Sequence, residues 1–364
     1  MTKVVVIGAG FGGLSAAIEL AKNGIEVKLL DPKREAGGKV DLFEDEKKNR
    51  YDCGPTVVTL KEVFSELFEK SNEKLEDYVT FKKLGIVARH SWSDKEVLDL
   101  HSDADRNFEA ISKFSGMSEA RNFNEFSKLA SELHKSLENS YMKCQRPSML
   151  KLINTIGFSG SKLLIKAGLF NSLWEKLEKQ FSDVRLRQLF GRYATYCGSS
   201  PWQAPSTLML IWDVEMRGVW SVEGGVISLA RAMRKLAEKN GVTFFNNSCE
   251  EILSYGGKIT GVRLDNDNHI LADKIVFNGD YSDLNSYLLN NNIKDKRHYQ
   301  TEKNRSLSAI TWMTKNKTSG FKLSRHNVFF NSQYQKEFSD IFKKGIIPTN
   351  PTVYLCAQDR LDDH

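Results

Sequence analysis

Residues 4–20 read VVVIGAGFGGLSAAIEL, and this stretch decides the fold. VVVI predicts a strand, the glycines after it a tight turn, and LSAAIELAKN a helix that Gly24 closes before a second strand, EVKLLD. This is one βαβ unit. Gly8, Gly10 and Gly13 fit the GxGxxG spacing, Gly12 lies beside them, and Asp31 ends the second strand 21 residues beyond Gly10. Gly8 allows the turn, Gly10 lets the backbone approach a pyrophosphate, and Gly13 lets the helix lie close to the strand. The helix N-terminus adds free N–H groups and a partial positive charge, and Asp31 is placed to accept hydrogen bonds from a ribose. The same glycines could make a turn with no ligand. Strand, helix and acid in register favour dinucleotide binding, with FAD and NAD both open.

Two later stretches separate those cofactors. Gly37, Gly38 and Lys39 follow Asp31, and YDCGPTVVTL then places Asp52, Gly54, Pro55 and Thr56 ahead of another helix. Paired glycines before a cation again let backbone approach a phosphate or ribityl chain, and Gly54-Pro55-Thr56 makes a rigid turn able to pass near a ring system. An NAD fold does not usually need either.

These residues resemble the flavin amine oxidase and phytoene desaturase superfamily, whose FAD binding is of the glutathione-reductase type. There a GG(R/K) stretch and a D-x-GPT turn both lie against FAD; Asp31 stands where that superfamily often has Glu. A second resemblance lies in RYATYCGSSPWQAPSTLMLIWDVEMRGVWSVEGGVISLARAM, residues 192–233. It is similar to the bacterial carotenoid desaturases, most of all the hydroxyneurosporene dehydrogenase branch, which desaturates 1-hydroxycarotenoids at the 3,4 bond. Asn278-Gly279-Asp280 resembles the family's turn returning to the flavin domain. The resemblance implies an α/β fold: a discontinuous Rossmann-like FAD-binding domain with a helix-rich, mixed-sheet substrate domain. It also implies FAD as cofactor, held by the glycine loop, Asp31, Gly37 to Lys39 and Gly54 to Thr56, with Cys249 assigned to the same cofactor-binding set.

The expected boundaries are 1–85 and 220–285 for the FAD-binding domain, 86–219 for a helical insertion that faces a membrane or packs on its own domain, and 286–364 for part of a substrate-domain sheet. Residues 58–82 and 105–139 read as helical, 224–241 as a helix ended by Gly241, and 242–255, 258–264 and 269–277 as strands returning to the first sheet. Strands at 306–314, 327–330 and 352–356 are expected in a separate sheet.

Composition excludes several alternatives. At 364 residues, 40% hydrophobic and 27% charged, this is an ordinary globular chain with no low-complexity tract. Five widely spaced cysteines without CxxC argue against a disulfide framework and a zinc site, and the seven histidines show no HExxH spacing. A reducing, cytoplasmic compartment and metal-independent chemistry are expected. Cys197 reads as a structural thiol rather than a nucleophile, since no base sits at an informative place. Trp202, Trp212 and Trp220 suit either a polyene tunnel or a core. Gly224-Gly225 makes a second close approach to a ligand or a simple helix-entry turn.

Of the net charge of +6, the window 141–181 supplies +5, seven Lys/Arg against two acids. No run of 18 apolar residues predicts a spanning helix. Residues 147–177 mix Leu, Ile, Phe and Trp with lysines, which suits a helix lying in an anionic interface and equally one packed on its own domain with solvated lysines. With no nucleic-acid motif beside the charge, the expected partners are a carotenoid and the inner membrane surface. The superfamily continues past a strand similar to PTVYLCAQDRLDDH into a segment carrying a late glycine turn against the flavin, and no second glycine motif follows Gly345. Three readings stand: a desaturase whose C-terminal segment lies elsewhere or on a partner chain, a shortened and inactive flavoprotein or partner subunit, and a phytoene desaturase or related amine oxidase. The resemblance assigns no catalytic residue: oriented C–H bonds and an electron acceptor suffice for desaturation.

Overall fold

A computed structural model describes residues 2–144, 160, 162–168, 170–280, 284 and 305–360. Its strands begin with β1 (Lys3–Ile7), β2 (Glu26–Leu30), β3 (Asp41–Glu44), β4 (Arg50–Cys53), β5 (Phe81–Lys83), β6 (Ile86–Ser93), β7 (Glu96–His101) and β8 (Trp220–Val222). They continue with β9 (Thr243–Phe245), β10 (Cys249–Tyr255), β11 (Lys258–Leu264), β12 (His269–Leu271), β13 (Lys274–Phe277), β14 (His326–Phe329) and β15 (Val353–Cys356). Two compact units form: Met1–Lys82 with Trp220–Asn304, and Lys83–Val219 with Arg305–His364.

The first unit is built on a parallel sheet of order β13-β1-β2-β9. Val4 and Val6 pack on one face against Leu14, Ala17 and Ile18 of the helix Phe11–Lys22 and Leu229, Met233 and Leu236 of the helix Ile227–Lys239. Val5 and Leu30 pack on the other face against Ile252, Val262, Leu264 and Ile270 of the antiparallel sheet β10-β11-β12. A strand covered on both faces needs apolar residues at every position, which is why it reads VVVI rather than alternating. Each such side chain contributes about 1.5–3 kcal/mol on burial.

Two expected strands each divide between these sheets. Residues 242–255 split into β9 and β10, because Asp265 accepts from the Asn247 side chain and the Ser248 N–H and turns the chain between them. Residues 269–277 split into β12 and β13 where the Asp273 carboxylate accepts from Lys3 N–H and its own N–H donates to Lys3 O. The helix expected over 58–82 is shorter, Lys61–Glu69 followed by one 3-10 turn at Leu75–Asp77, with Asn72 at a left-handed φ of 58° between them.

The second unit carries a sheet of order β15-β14-β6-β7, in which only the β14–β6 pair is parallel. The segment 86–219, expected to be helical, thus opens with two strands. The helical region that follows is two helices, Ala104–Ser115 and Met117–Leu137, joined at Gly116 with φ 94°. Residues 306–314 form no strand: Ile310 and Trp312 are 66% and 82% exposed, so this stretch has no covered face to pleat against. The interior is aromatic. Phe190 lies 4.6 Å from Phe126 and 5.7 Å from Trp212, whose indole N–H donates to Ser127 Oγ at 2.9 Å. Trp212 is therefore core.

His326 sits inside this unit, its Nδ1 2.7 Å from the Tyr354 hydroxyl, and burial pushes its pKa down to about 3. The unfolded state takes up a proton near pH 6.5 that the folded state refuses, so stability falls as pH drops through 6.5 and levels only near 3. Unfolding by urea is expected to show an acid slope of up to about 1.4 kcal/mol per pH unit from this group, and His326→Phe is expected to remove that share while the slope from the buried His90, whose pKa burial also pushes down, remains.

Candidate functional site

The glycine loop joins β1 to the helix Phe11–Lys22. Gly10 caps that helix with no side-chain hydrogen bond, and no acid occupies its first turn. The first N–H groups thus take no side-chain cap and meet no acid within the helix's own first turn, a condition that suits anion binding. At Gly13 a Cβ would stand 1.9 Å from the Gly8 carbonyl oxygen, so helix and strand meet there only because the side chain is absent.

Asp31 fastens the end of β2 to this loop. Its Oδ2 accepts from the Ala9 N–H at 2.7 Å and its Oδ1 from the Lys33 N–H at 2.9 Å. The second glycine turn docks on the first: the Gly37 N–H donates to Ala9 O at 2.9 Å, and Gly10 and Gly37 form a parallel bridge. Lys39 is exposed beside it. The third turn follows, since a Cβ on Gly54 would reach within 2.1 Å of Lys39 O. Pro55 is exposed and Thr56 buried. Gly8, Gly10, Gly12, Gly13, Asp31, Gly37, Gly38, Lys39, Gly54, Pro55 and Thr56 therefore belong to successive turns of one unit, each touching the next through backbone. Cys249 opens β10 and packs in the cluster that holds Leu30 and Phe245 together with Ile252 and Val262, and burial pushes its thiol up to about 11.

Two residues of this region carry more than their sequence signal indicated. Asp52 is buried at the entrance of the helix Ile227–Lys239, where its Oδ2 accepts from the Val226 N–H at 3.2 Å. A Cβ on Gly225 would lie 2.2 Å from Asp52 Oδ1, which explains the glycine at that entry. Asn278 follows β13, and its Nδ2 reaches Gly8 O at 3.4 Å. Because β13 lies beside β1 on the side away from β2, its carboxyl end sits at the point where strand order reverses, the place where such sheets bind ligands. Trp220 belongs to this unit as well, with the Lys61 ammonium 5.2 Å from its ring.

In the second unit the 192–233 stretch begins with a buried polar knot. Arg192 meets both carboxylate oxygens of Glu215 at 3.2 Å, and Tyr193 and Tyr196 donate to the same carboxylate at 2.9 and 2.5 Å. The adjacent Glu215 charge raises the Arg192 pKa against the opposing effect of burial. Trp202 lies 4.6 Å from Trp174 with the two rings tilted by 33°, and Cys197 is exposed.

The first unit thus defines a dinucleotide-binding protein of the Rossmann class. The sequence profile of flavin containing amine oxidoreductases matches residues 11–327. The chain belongs to that family. It is an FAD-dependent oxidoreductase, and the uncapped, acid-free helix start, Asp31 and the two further glycine turns fit that cofactor. Among similar proteins, hydroxyneurosporene desaturase of Rubrivivax gelatinosus is 44% identical over 99% of this chain and 69% of its own length. The hydroxyneurosporene desaturase of Cereibacter sphaeroides is 41% identical over 98% and 72%. The 4,4'-diaponeurosporene oxygenase of Staphylococcus haemolyticus is 30% identical over 99% and 71%. Among solved structures, putrescine oxidase bound to putrescine has a TM-score of 0.52 at 16% identity, covering 78% of this chain and 59% of that one. Rab GDI of Plasmodium falciparum has a TM-score of 0.52 at 12% identity, covering 77% and 66%. Those two likenesses show the fold alone.

Proposed function

We propose that the protein is a carotenoid desaturase that introduces the 3,4 double bond of a 1-hydroxycarotenoid. The observation that carries this is the 41–44% identity to two hydroxyneurosporene desaturases over nearly the whole chain. Bound FAD would supply the two-electron acceptor: a hydride equivalent from one carbon would pass to the flavin, a proton from its neighbour would pass to water, and a C=C bond would remain. The residues named above do the holding. The first turn of the helix Phe11–Lys22 receives the diphosphate, Asp31 the adenosine ribose, and the Gly37–Lys39 and Gly54–Thr56 turns the path toward the ring. In this reading Asp31 exchanges a contact with the loop for one with the cofactor, and no side chain need act as base.

The test is product analysis in vesicles loaded with either a 1-hydroxylated or an unhydroxylated carotenoid. A product two hydrogens poorer from the hydroxylated substrate alone supports the assignment. Desaturation of phytoene instead, or a product that has gained oxygen as the 30% identical oxygenase suggests, overturns the substrate or the reaction.

A carotenoid gains about 0.8 kcal/mol for each buried CH₂ and resides in a bilayer, so the enzyme works at the cytoplasmic face of the inner membrane in this proposal. Among the described residues no helix is long and apolar enough to cross a membrane. Within the candidate stretch, 147–159 lies outside the described residues. The helical turn at 162–167 buries Leu164 and Ala167 and exposes Ile165 at 69% among Lys162 and Lys166, with Phe170 90% exposed just beyond. Apolar tips among lysines suit an anionic surface. Phe170→Ser is expected to weaken co-sedimentation with anionic vesicles about tenfold or more, leaving flavin binding unchanged; unaltered sedimentation would place the membrane contact elsewhere.

A further inference from the structure

We infer that Asn278 is a diphosphate-positioning residue, its carboxamide serving as a side-chain contact for the two phosphates of the cofactor. The inference rests on the FAD assignment and goes beyond the glycine loop, because it places a side chain where the sequence motif offers only backbone.

The geometry is specific. The Asn278 N–H donates to Ile7 O at 2.8 Å, continuing the β13–β1 ladder by one residue and so fixing where the side chain starts. From there the carboxamide lies across the opening of the helix Phe11–Lys22. A Cβ on Gly12 would meet Asn278 Oδ1 at 2.5 Å, one on Gly13 would meet Nδ2 at 3.1 Å, and one on Gly10 would meet Nδ2 at 3.3 Å. Three of the four loop glycines thus clear space for the same side chain. Gly12 is outside the GxGxxG spacing, and this contact gives a physical reason for it. The Asn278 amide nitrogen also reaches Gly8 O at 3.4 Å, long for a hydrogen bond, so little holds it against turning toward a stronger acceptor. Asn278 is exposed and lies at the carboxyl end of its strand, so its donor is available to an anion arriving at the helix N-terminus. A carboxamide can donate two N–H bonds without adding charge, which complements the backbone donors around it.

A role limited to packing the loop gives a different pattern from a phosphate contact, and three nucleotide probes separate them. FAD affinity is measured by flavin fluorescence on the flavin-stripped full chain, with ADP and AMP as competitors. Asn278→Asp, nearly isosteric, sets a carboxylate against the phosphates; Asn278→Ala removes the donor. FAD and ADP are expected to bind at least tenfold more weakly to the Asp variant and severalfold more weakly to the Ala variant, while AMP, which keeps only one of the two phosphates, loses less than ADP in Asn278→Ala. Equal losses for ADP and AMP in Asn278→Ala, or wild-type FAD affinity in Asn278→Asp, overturn the inference. Melting temperatures of the stripped variants provide the control: a lowered melting temperature with an unchanged ADP-to-AMP ratio assigns Asn278 to loop packing and also overturns it. A wild-type chain that binds neither FAD nor ADP would instead refute the cofactor assignment.

Discussion

Gly13→Ala is expected to weaken flavin binding severely. The new Cβ would lie 1.9 Å from the Gly8 carbonyl oxygen, a backbone atom in the middle of the β1-to-helix turn, so the helix must move rather than a side chain. Overpacking of this kind costs about 1–3 kcal/mol in stability. The larger consequence is functional, because the first N–H groups of the helix and the Asp31–Ala9 contact shift together. FAD affinity is expected to fall about a hundredfold, or ~2.7 kcal/mol, measured by flavin fluorescence on the folded variant. Gly24→Ala is the matched control. It lies at the other end of the same helix at φ 76° with nothing within 4 Å of an added Cβ, so it is expected to cost about 1 kcal/mol and leave flavin binding intact. Equal flavin loss in both variants would mean that the close helix-to-strand approach is not what the cofactor needs.

Glu215→Leu is expected to be the most destabilising single change in the second unit. It leaves the nearly buried Arg192 guanidinium without its counter-charge and removes the acceptor of the Tyr193 and Tyr196 hydroxyls. Stranding one partner of a buried pair costs about 3–5 kcal/mol, whereas replacing both by apolar groups is often close to neutral. Urea unfolding of Glu215→Leu, Arg192→Met and the double variant checks this: the double variant should recover the part of the loss due to the stranded charge but not the part due to the buried Tyr193 hydroxyl, which still lacks its acceptor. If the single variant loses less than about 1 kcal/mol, typical of an exposed pair, solvent reaches the knot in solution.

The glycine loop was legible in sequence because each of its constraints is local. A missing Cβ at Gly13, a helix entry without acid and an acid at the end of β2 all leave marks at fixed spacing along the chain. The same holds for Gly37 and Gly54, whose docking partners Ala9 and Lys39 belong to the same unit. Asn278 was not legible as a loop contact, since it meets Gly8 only through the parallel pairing of β13 with β1, 270 residues apart in sequence. Asp52 likewise reaches Val226 across 174 residues.

Periodicity failed where tertiary pairing decides. Apolar runs at 242–255 and 269–277 look continuous, yet Asp265 and Asp273 divert them between two sheets. The strands β6 and β7 were missed although Val87, Leu98 and Leu100 are buried: they pair with each other across a short turn, and β14, the other partner of β6, lies more than 200 residues further on. Conversely, 306–314 has apolar residues without a face to bury them, and it forms no strand. The tryptophans show why composition alone left two readings: Trp212 is core, while Trp220 packs under Lys61.

Carotenoid desaturation by bound FAD is tested most directly by a single anaerobic turnover. The 364-residue chain, loaded with FAD, is mixed with vesicles carrying a 1-hydroxycarotenoid in the absence of any other electron acceptor. The expected result is loss of the yellow oxidised-flavin absorbance matched, mole for mole, by a carotenoid with one further double bond. Flavin that stays oxidised in the presence of bound substrate, or product formed without flavin reduction, would contradict it.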